Sequence, residues 1–171
     1  MSIDHQNNGN TSSAEKSAAK LLFLFPQATL NDGGHLAQEK FYQLAKRQYD
    51  AEFITYKQRD NNHRYLNELL KTPANNDKNI YCIHYGPHIA KLVKQLKHRR
   101  VIYFAHSTGW KFNLPKHIPI ISVSKHSQAY WGRKAPNNPG YCLPNIISDH
   151  FSLPEESEPS TDSPKSIERK T

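Results

Sequence analysis

Lys20-Leu-Leu-Phe-Leu-Phe25, then Pro26-Gln-Ala-Thr-Leu-Asn-Asp-Gly33-Gly34-His35, then an amphipathic run to Leu44 decides how this chain folds. The apolar residues Leu21 to Phe25 fit a strand covered on both faces. Ala37, Phe41, Leu44 and Ala45 fall at i, i+4, i+7 and i+8, which predicts a helix with one apolar stripe. Asn31 or Asp32 can cap its start. Gly33 and Gly34 would let the backbone turn tightly and leave room for a ligand. The free N–H groups of that helix end would favour an anion such as a phosphate. Taken alone, the glycines fit a plain strand-to-helix turn at least as well.

The same alternation continues downstream. Ala51-Glu-Phe-Ile-Thr-Tyr56 reads as a second strand, rich in β-branched and aromatic residues. A second helix is expected to open at Asn61 or Asn62, with Tyr65, Leu66, Leu69 and Leu70 on one face, and to end before Pro73. Asn79 to His84 reads as a third strand. After the Tyr85-Gly-Pro-His88 turn comes a helix whose inner face is Ile89, Leu92, Val93 and Leu96. Its outer face is expected to carry Lys91, Lys94, Lys97, His98 and Arg99. Arg100–Ala105, Pro119–Ser124 and Gly140–Leu143 read as three more strands, with a short helix from about Lys125 to Gly132. Strands alternating with helices predict an α/β sandwich with a mostly parallel sheet and right-handed crossovers. Residues 1–19 are polar and without apolar period, which predicts a disordered tail. Residues 152–171 read as a flexible tail or an interdomain linker, so the folded unit is expected over residues 20–151.

The formal net charge is +8, with −1 in residues 1–19 and −2 in residues 152–171, which leaves +11 on residues 20–151. A body this basic attracts polyanions: a nucleotide diphosphate, an anionic membrane face or nucleic acid. A solvated basic surface accounts for the same charge, so charge does not choose among these. No apolar stretch is long enough to span a bilayer, and the polar start predicts no signal peptide. The two cysteines, Cys82 and Cys142, lie in expected strands and read as buried thiols of a reducing, cytoplasmic compartment. A bridge between them is not demanded by the sequence.

In such sheets a ligand sits beyond the carboxyl ends of the strands. The polar and glycine-bearing segments fall there: Gly33-Gly34-His35, His84-Tyr85-Gly86, His106-Ser107-Thr108-Gly109, Ser124-Lys125-His126 and Pro144-Asn145. No Gly-x-Gly-x-x-Gly follows the first strand, and no Walker-type loop or Gly-x-Ser-x-Gly elbow occurs. This argues against a dinucleotide reductase, a P-loop enzyme and a serine hydrolase. His84 and His88 lie four apart, but no Cys-x-x-Cys or His-Glu-x-x-His accompanies them, so no metal site is expected. His106, where the fourth strand ends, can donate a hydrogen bond to a sugar hydroxyl, act in proton transfer, or be satisfied by the backbone. Trp131 reads as packing, and Trp110 as packing or a stacking face.

Over residues 20–151 the pattern resembles the N-terminal, acceptor-side domain of a retaining GT-B glycosyltransferase with a family-4-like N-terminal half. The resemblance rests on the paired Gly33-Gly34 after the first strand and on Tyr103-Phe-Ala-His106-Ser-Thr-Gly109. It rests also on Ile120-Ile-Ser-Val-Ser124-Lys-His-Ser127 and on Tyr141-Cys-Leu-Pro-Asn145-Ile-Ile-Ser-Asp149. It implies a Rossmann-like three-layer sandwich, one half of a GT-B pair, and a hexosyltransferase activity in polysaccharide or lipopolysaccharide synthesis. His106 would be the catalytic residue near the donor sugar, and Gly33, Gly34, Ser107, Thr108, Gly109, Ser124 and Asn145 would line the donor-phosphate site or cleft. No cofactor or metal is implied. The implied partners are a nucleotide sugar, a glycan or lipid-linked acceptor, a donor-half protein chain, and the anionic inner face of a membrane as a peripheral contact. The donor-binding half that follows the linker in such enzymes has no counterpart in the 20 polar residues at the end of this sequence, so little activity is expected of the chain alone. The competing readings are a non-catalytic basic module that binds nucleic acid or a nucleotide through Lys91, Lys94, Lys97, Arg99 and Arg100, or a scaffold that pairs with a full-length enzyme. No nucleic-acid signature supports the first of these.

Overall fold

Leu21–Phe25 form β1, the central strand, and Leu22, Leu24 and Phe25 are wholly buried. The computed structural model describes residues 19–84, 88–108 and 112–146. Beside β1 lie β2 (Ala51–Thr55) on one side and β4 (Ile80–His84) on the other. The two-residue β3 (Arg64–Tyr65) pairs with β2. β5 (Arg100–Ala105), β6 (Ile120–Ser122) and β7 (Gly140–Cys142) continue outward from β4. The result is a seven-stranded sheet in the order β3-β2-β1-β4-β5-β6-β7, with every pairing parallel. With helices on both faces this is a Rossmann-like, three-layer α/β fold. Both edge strands are short, two residues in β3 and three in β7, which limits the unpaired backbone that an edge exposes.

Helix α1 (Gly33–Lys46) covers one face and buries Phe41 and Tyr42 against Phe23, Phe53 and Phe104. Helices α2 (Leu66–Leu69), α3 (Ile89–Gln95) and α4 (Lys125–Lys134) cover the other face, where Leu66, Leu69, Ile89, Leu92 and Trp131 join Leu22, Leu24, Ile83 and Tyr103. Trp131 is packing, as expected: it is 2 % exposed, meets Tyr103 edge-on at 5.3 Å, and its Nε1 donates to the Ser107 carbonyl at 3.3 Å. Both cysteines are free thiols, Cys82 buried and Cys142 half-buried. Among the described residues no helix is long and apolar enough to cross a membrane. The expected tails lie mostly outside the described residues, as do Tyr85, Gly86, Gly109 and Trp110.

Three local expectations are corrected. The helix expected from Asn61 is confined to Leu66–Leu69. The Asp60 carboxylate accepts from the amides of Asn62 (2.8 Å) and His63 (3.0 Å) and from the His63 ring (2.9 Å). This side-chain turn competes with helical backbone bonding, and Arg64-Tyr65 then extends along β2. The α1 stripe is rotated by about one position from the expected one: Gln38, Phe41 and Tyr42 are buried, while Leu44 is 44 % exposed. The sheet offers this helix an aromatic bed of Phe23, Phe53 and Phe104, and Tyr42 fills it better than Leu44 would.

Arg99 does not lie on the outer face of its helix. His98 takes a left-handed conformation (φ 69°), as chain-reversing residues beyond a helix end do, and Arg99 turns inward. There it pairs with Asp77, the two side chains being 6 % and 2 % exposed. Its guanidinium also donates to the carbonyls of Thr72 (2.6 Å) and Leu70 (3.3 Å), and Tyr81 donates its hydroxyl to Asp77 at 2.6 Å. Arg99 is therefore withdrawn from the basic cluster that a polyanion would meet.

Candidate functional site

The two crossovers that leave the middle of the sheet run in opposite directions, β1 to β2 one way and β3 to β4 the other. The carboxyl ends of β1 and β4 therefore flank a topological switch point, where open α/β sheets leave a crevice. The N-terminus of α1 stands at one side of it. His84 ends β4, and His106 follows β5.

Asp32 is the N-cap of α1, and its carboxylate accepts from the His35 amide at 2.9 Å. It also pairs with His35 Nδ1. Partial burial pushes the Asp32 carboxyl up, but the amides of His35 and Gly34 together with the His35 ring outweigh it and hold the group below its usual range. Asp32→Ala is expected to cost about 1 kcal/mol in thermal or urea unfolding, and Asp32→Asn to recover most of it, because asparagine caps as well as aspartate. An equal loss in both variants would show that the carboxylate charge of Asp32, not the cap, is what matters.

Gly33 and Gly34 begin α1 as its first two residues. The expected tight turn is not what Gly33 provides: it has no left-handed backbone, and a Cβ there would meet no atom within 4 Å. What it leaves is open space before the helix end.

Three imidazoles gather beside this helix end. His35 and His84 meet edge-to-face at 4.8 Å, and His84 and His106 at 6.2 Å. His84 is 4 % exposed and also packs on Phe25. His106 packs on Phe41 and Phe104, its Nε2 lies 3.0 Å from Gln38 Oε1, and its ring is hydrogen-bonded to the Asn145 side chain. Burial pushes the His106 imidazole down to about 4, against the smaller upward pull of Asn145. It is neutral at physiological pH and a weak proton acceptor there. Of the chemistry expected for it, hydrogen bonding fits better than proton transfer. With Gln38 Oε1 as acceptor, the Nε2–H tautomer donates. Gln38 is itself wholly buried, and its Nε2 has no hydrogen-bond partner among the described residues.

Of the residues expected at the site, His106 and Asn145 interact directly, and the charge of Asp32, which is bonded to the Gly34 amide at the start of α1, acts on the same His106 ring. Ser107 and Thr108 adjoin His106 and are half-buried. Ser124 caps α4 by accepting from the Ser127 amide at 3.1 Å. His84 and His88 do not converge: His84 meets His35 and His106, whereas His88 meets Tyr56. Among the described residues no group of three histidines, cysteines or acids could hold a metal ion.

Gln38 is the member that the sequence does not single out, whereas His35 stands in the Gly33-Gly34-His35 segment expected at the sheet edge. The available signal was Gln38 itself, a polar residue three before Phe41 and four before Tyr42, on the buried stripe of a helix. Set beside known proteins, the chain matches no protein-family model and no curated protein sequence.

Proposed function

We propose that residues 20–151 are the acceptor-side half of a glycosyltransferase: one wall of a cleft in which a sugar passes from a nucleotide-sugar donor to a glycan or lipid-linked acceptor. A second domain or chain supplies the opposite wall. The observation that carries this reading is the part-buried His106 ring, hydrogen-bonded to Gln38 and to Asn145, at the switch point of a parallel sheet whose β1 leads into α1. A neutral, hydrogen-bonded imidazole suits the recognition of sugar hydroxyls, and the adjacent helix end suits an anionic group. The Lys- and Arg-rich body suits docking on an anionic membrane face, where lipid-linked acceptors reside.

The test is a transfer assay with UDP-, GDP- and ADP-hexoses, run on the chain alone and on the chain combined with a donor-binding domain. The chain alone is expected to transfer nothing, because both substrates must be held in one closed cleft. In the combined system His106→Ala is expected to lower turnover by about a hundredfold or more, the cost of losing a positioned contact, with unfolding curves at pH 7 still cooperative. Transfer by the chain alone, or turnover unchanged in His106→Ala, would overturn the reading.

A further inference from the structure

A second concave site lies at the same sheet edge but on the opposite face from α1. It is a cavity of about 320 Å³ between the segment after β2, the end of β3, and helices α2 and α3. Tyr56, Tyr65 and His88 give it aromatic walls, and Lys57, Lys91 and Asn67 give it polar ones. None of these residues belongs to the His106 cluster.

The local folding explains why these side chains converge. The amides of Tyr56 and Lys57 donate to the carbonyls of Phe25 and Pro26 at 2.9 and 3.0 Å, which ties this segment to the end of β1. Arg59 lies over the Tyr65 ring at 4.7 Å, and Tyr56 and His88 meet edge-on at 6.4 Å. Burial, with a contribution from the Asp32 charge, pushes the Tyr56 phenol up to about 12, so it remains a protonated donor.

The charge balance is one-sided. Among the described residues no carboxylate lines the cavity, and neither Lys57 nor Lys91 forms an ion pair. Two unneutralised ammonium groups in a concave, partly apolar site favour an anion. The aromatic walls favour a flat ring, and the Asn67 amide can both donate to and accept from a ring edge. The volume stands near the lower limit for ligand sites, which leaves room for one ring system and one anionic group, not for a dinucleotide or a lipid.

We propose that this cavity binds a small anion carrying a planar ring, of the nucleoside monophosphate class, separately from the His106 cleft. The ammonium groups of Lys57 and Lys91 hold the phosphate, and Tyr56 and Tyr65 flank the ring.

The experiment is calorimetric titration of the full chain with adenosine monophosphate, uridine monophosphate, adenosine and inorganic phosphate at low salt. At least one monophosphate is expected to bind at least tenfold more tightly than adenosine or inorganic phosphate. The double variant Lys57→Ala/Lys91→Ala is expected to lose at least tenfold in that affinity, Tyr65→Ala a similar amount, and His106→Ala none. Raising the salt concentration is expected to weaken binding in the wild type and much less in the lysine double variant. Absence of monophosphate binding overturns the proposal. So does inorganic phosphate binding as tightly as either nucleotide, or an affinity that falls in His106→Ala but not in the lysine variant. Because no sugar transfer is read, the result is independent of the glycosyltransferase reading.

Discussion

Asp77→Ala is expected to destabilise the protein by about 3–5 kcal/mol, the cost of leaving a buried guanidinium without its counter-ion. Asp77 and Arg99 are both buried, and the Asp77 carboxylate also receives the Tyr81 hydroxyl. Arg99 in turn binds the carbonyls of Leu70 and Thr72, which tie the end of α2 to the start of β5. One substitution thus strands a charge and loosens a junction between two elements. For a chain of this size the melting temperature should fall by roughly 10 °C. The double variant Asp77→Leu/Arg99→Met should recover much of the loss, because apolar replacement of a whole buried pair is often close to neutral. Urea unfolding followed by circular dichroism measures both. A loss under about 1 kcal/mol for Asp77→Ala would show that water reaches Arg99 and screens it.

Stability is expected to fall on acidification through His106. Burial sets its folded value at about 4, below the 6.5 of the free side chain. The unfolded chain therefore takes up this proton first as pH falls, and protonation favours unfolding. The contribution is whole above about pH 6.5, declines between 6.5 and about 4, and is lost below that. Its size is on the order of 3 kcal/mol. His106→Gln keeps a polar side chain but cannot titrate, so the stability gap between wild type and variant should shrink by about that amount between pH 7.5 and pH 4. Parallel pH profiles would mean that His106 is solvated and titrates normally.

Much of the fold was legible because the strands carry their own signal. Leu21–Phe25 and Arg100–Ala105 were read with the bounds that the structure has, since an apolar run buried on both faces needs no partner to be recognised. The region from Asp60 to Tyr65 departs from its apolar periodicity because an Asp side chain decides its backbone. The inward turn of Arg99 is not legible from helical spacing, because its partner, Asp77, lies 22 residues earlier. The site was legible in part. His106 and Asn145 stand at strand ends, where parallel sheets gather their loops. Gln38 is hidden because it reaches the same place from within a helix, and only the rotation of α1 on its aromatic bed brings it there.

The order of the strands also has a consequence for how the chain comes off the ribosome. β1 acquires its first neighbour, β2, within about 30 residues, but the opposite edge of the same strand waits for β4, which is complete only at His84. At about 5–20 residues per second, the apolar Leu21–Phe25 edge stands bare for roughly three to twelve seconds of synthesis. Once β4 has docked, β5, β6 and β7 each append to the outermost strand in the order in which they are made. The stretch of translation between Phe25 and His84 is thus the interval in which a growing chain is most prone to pair with the wrong neighbour, and the one in which a chaperone would have most effect.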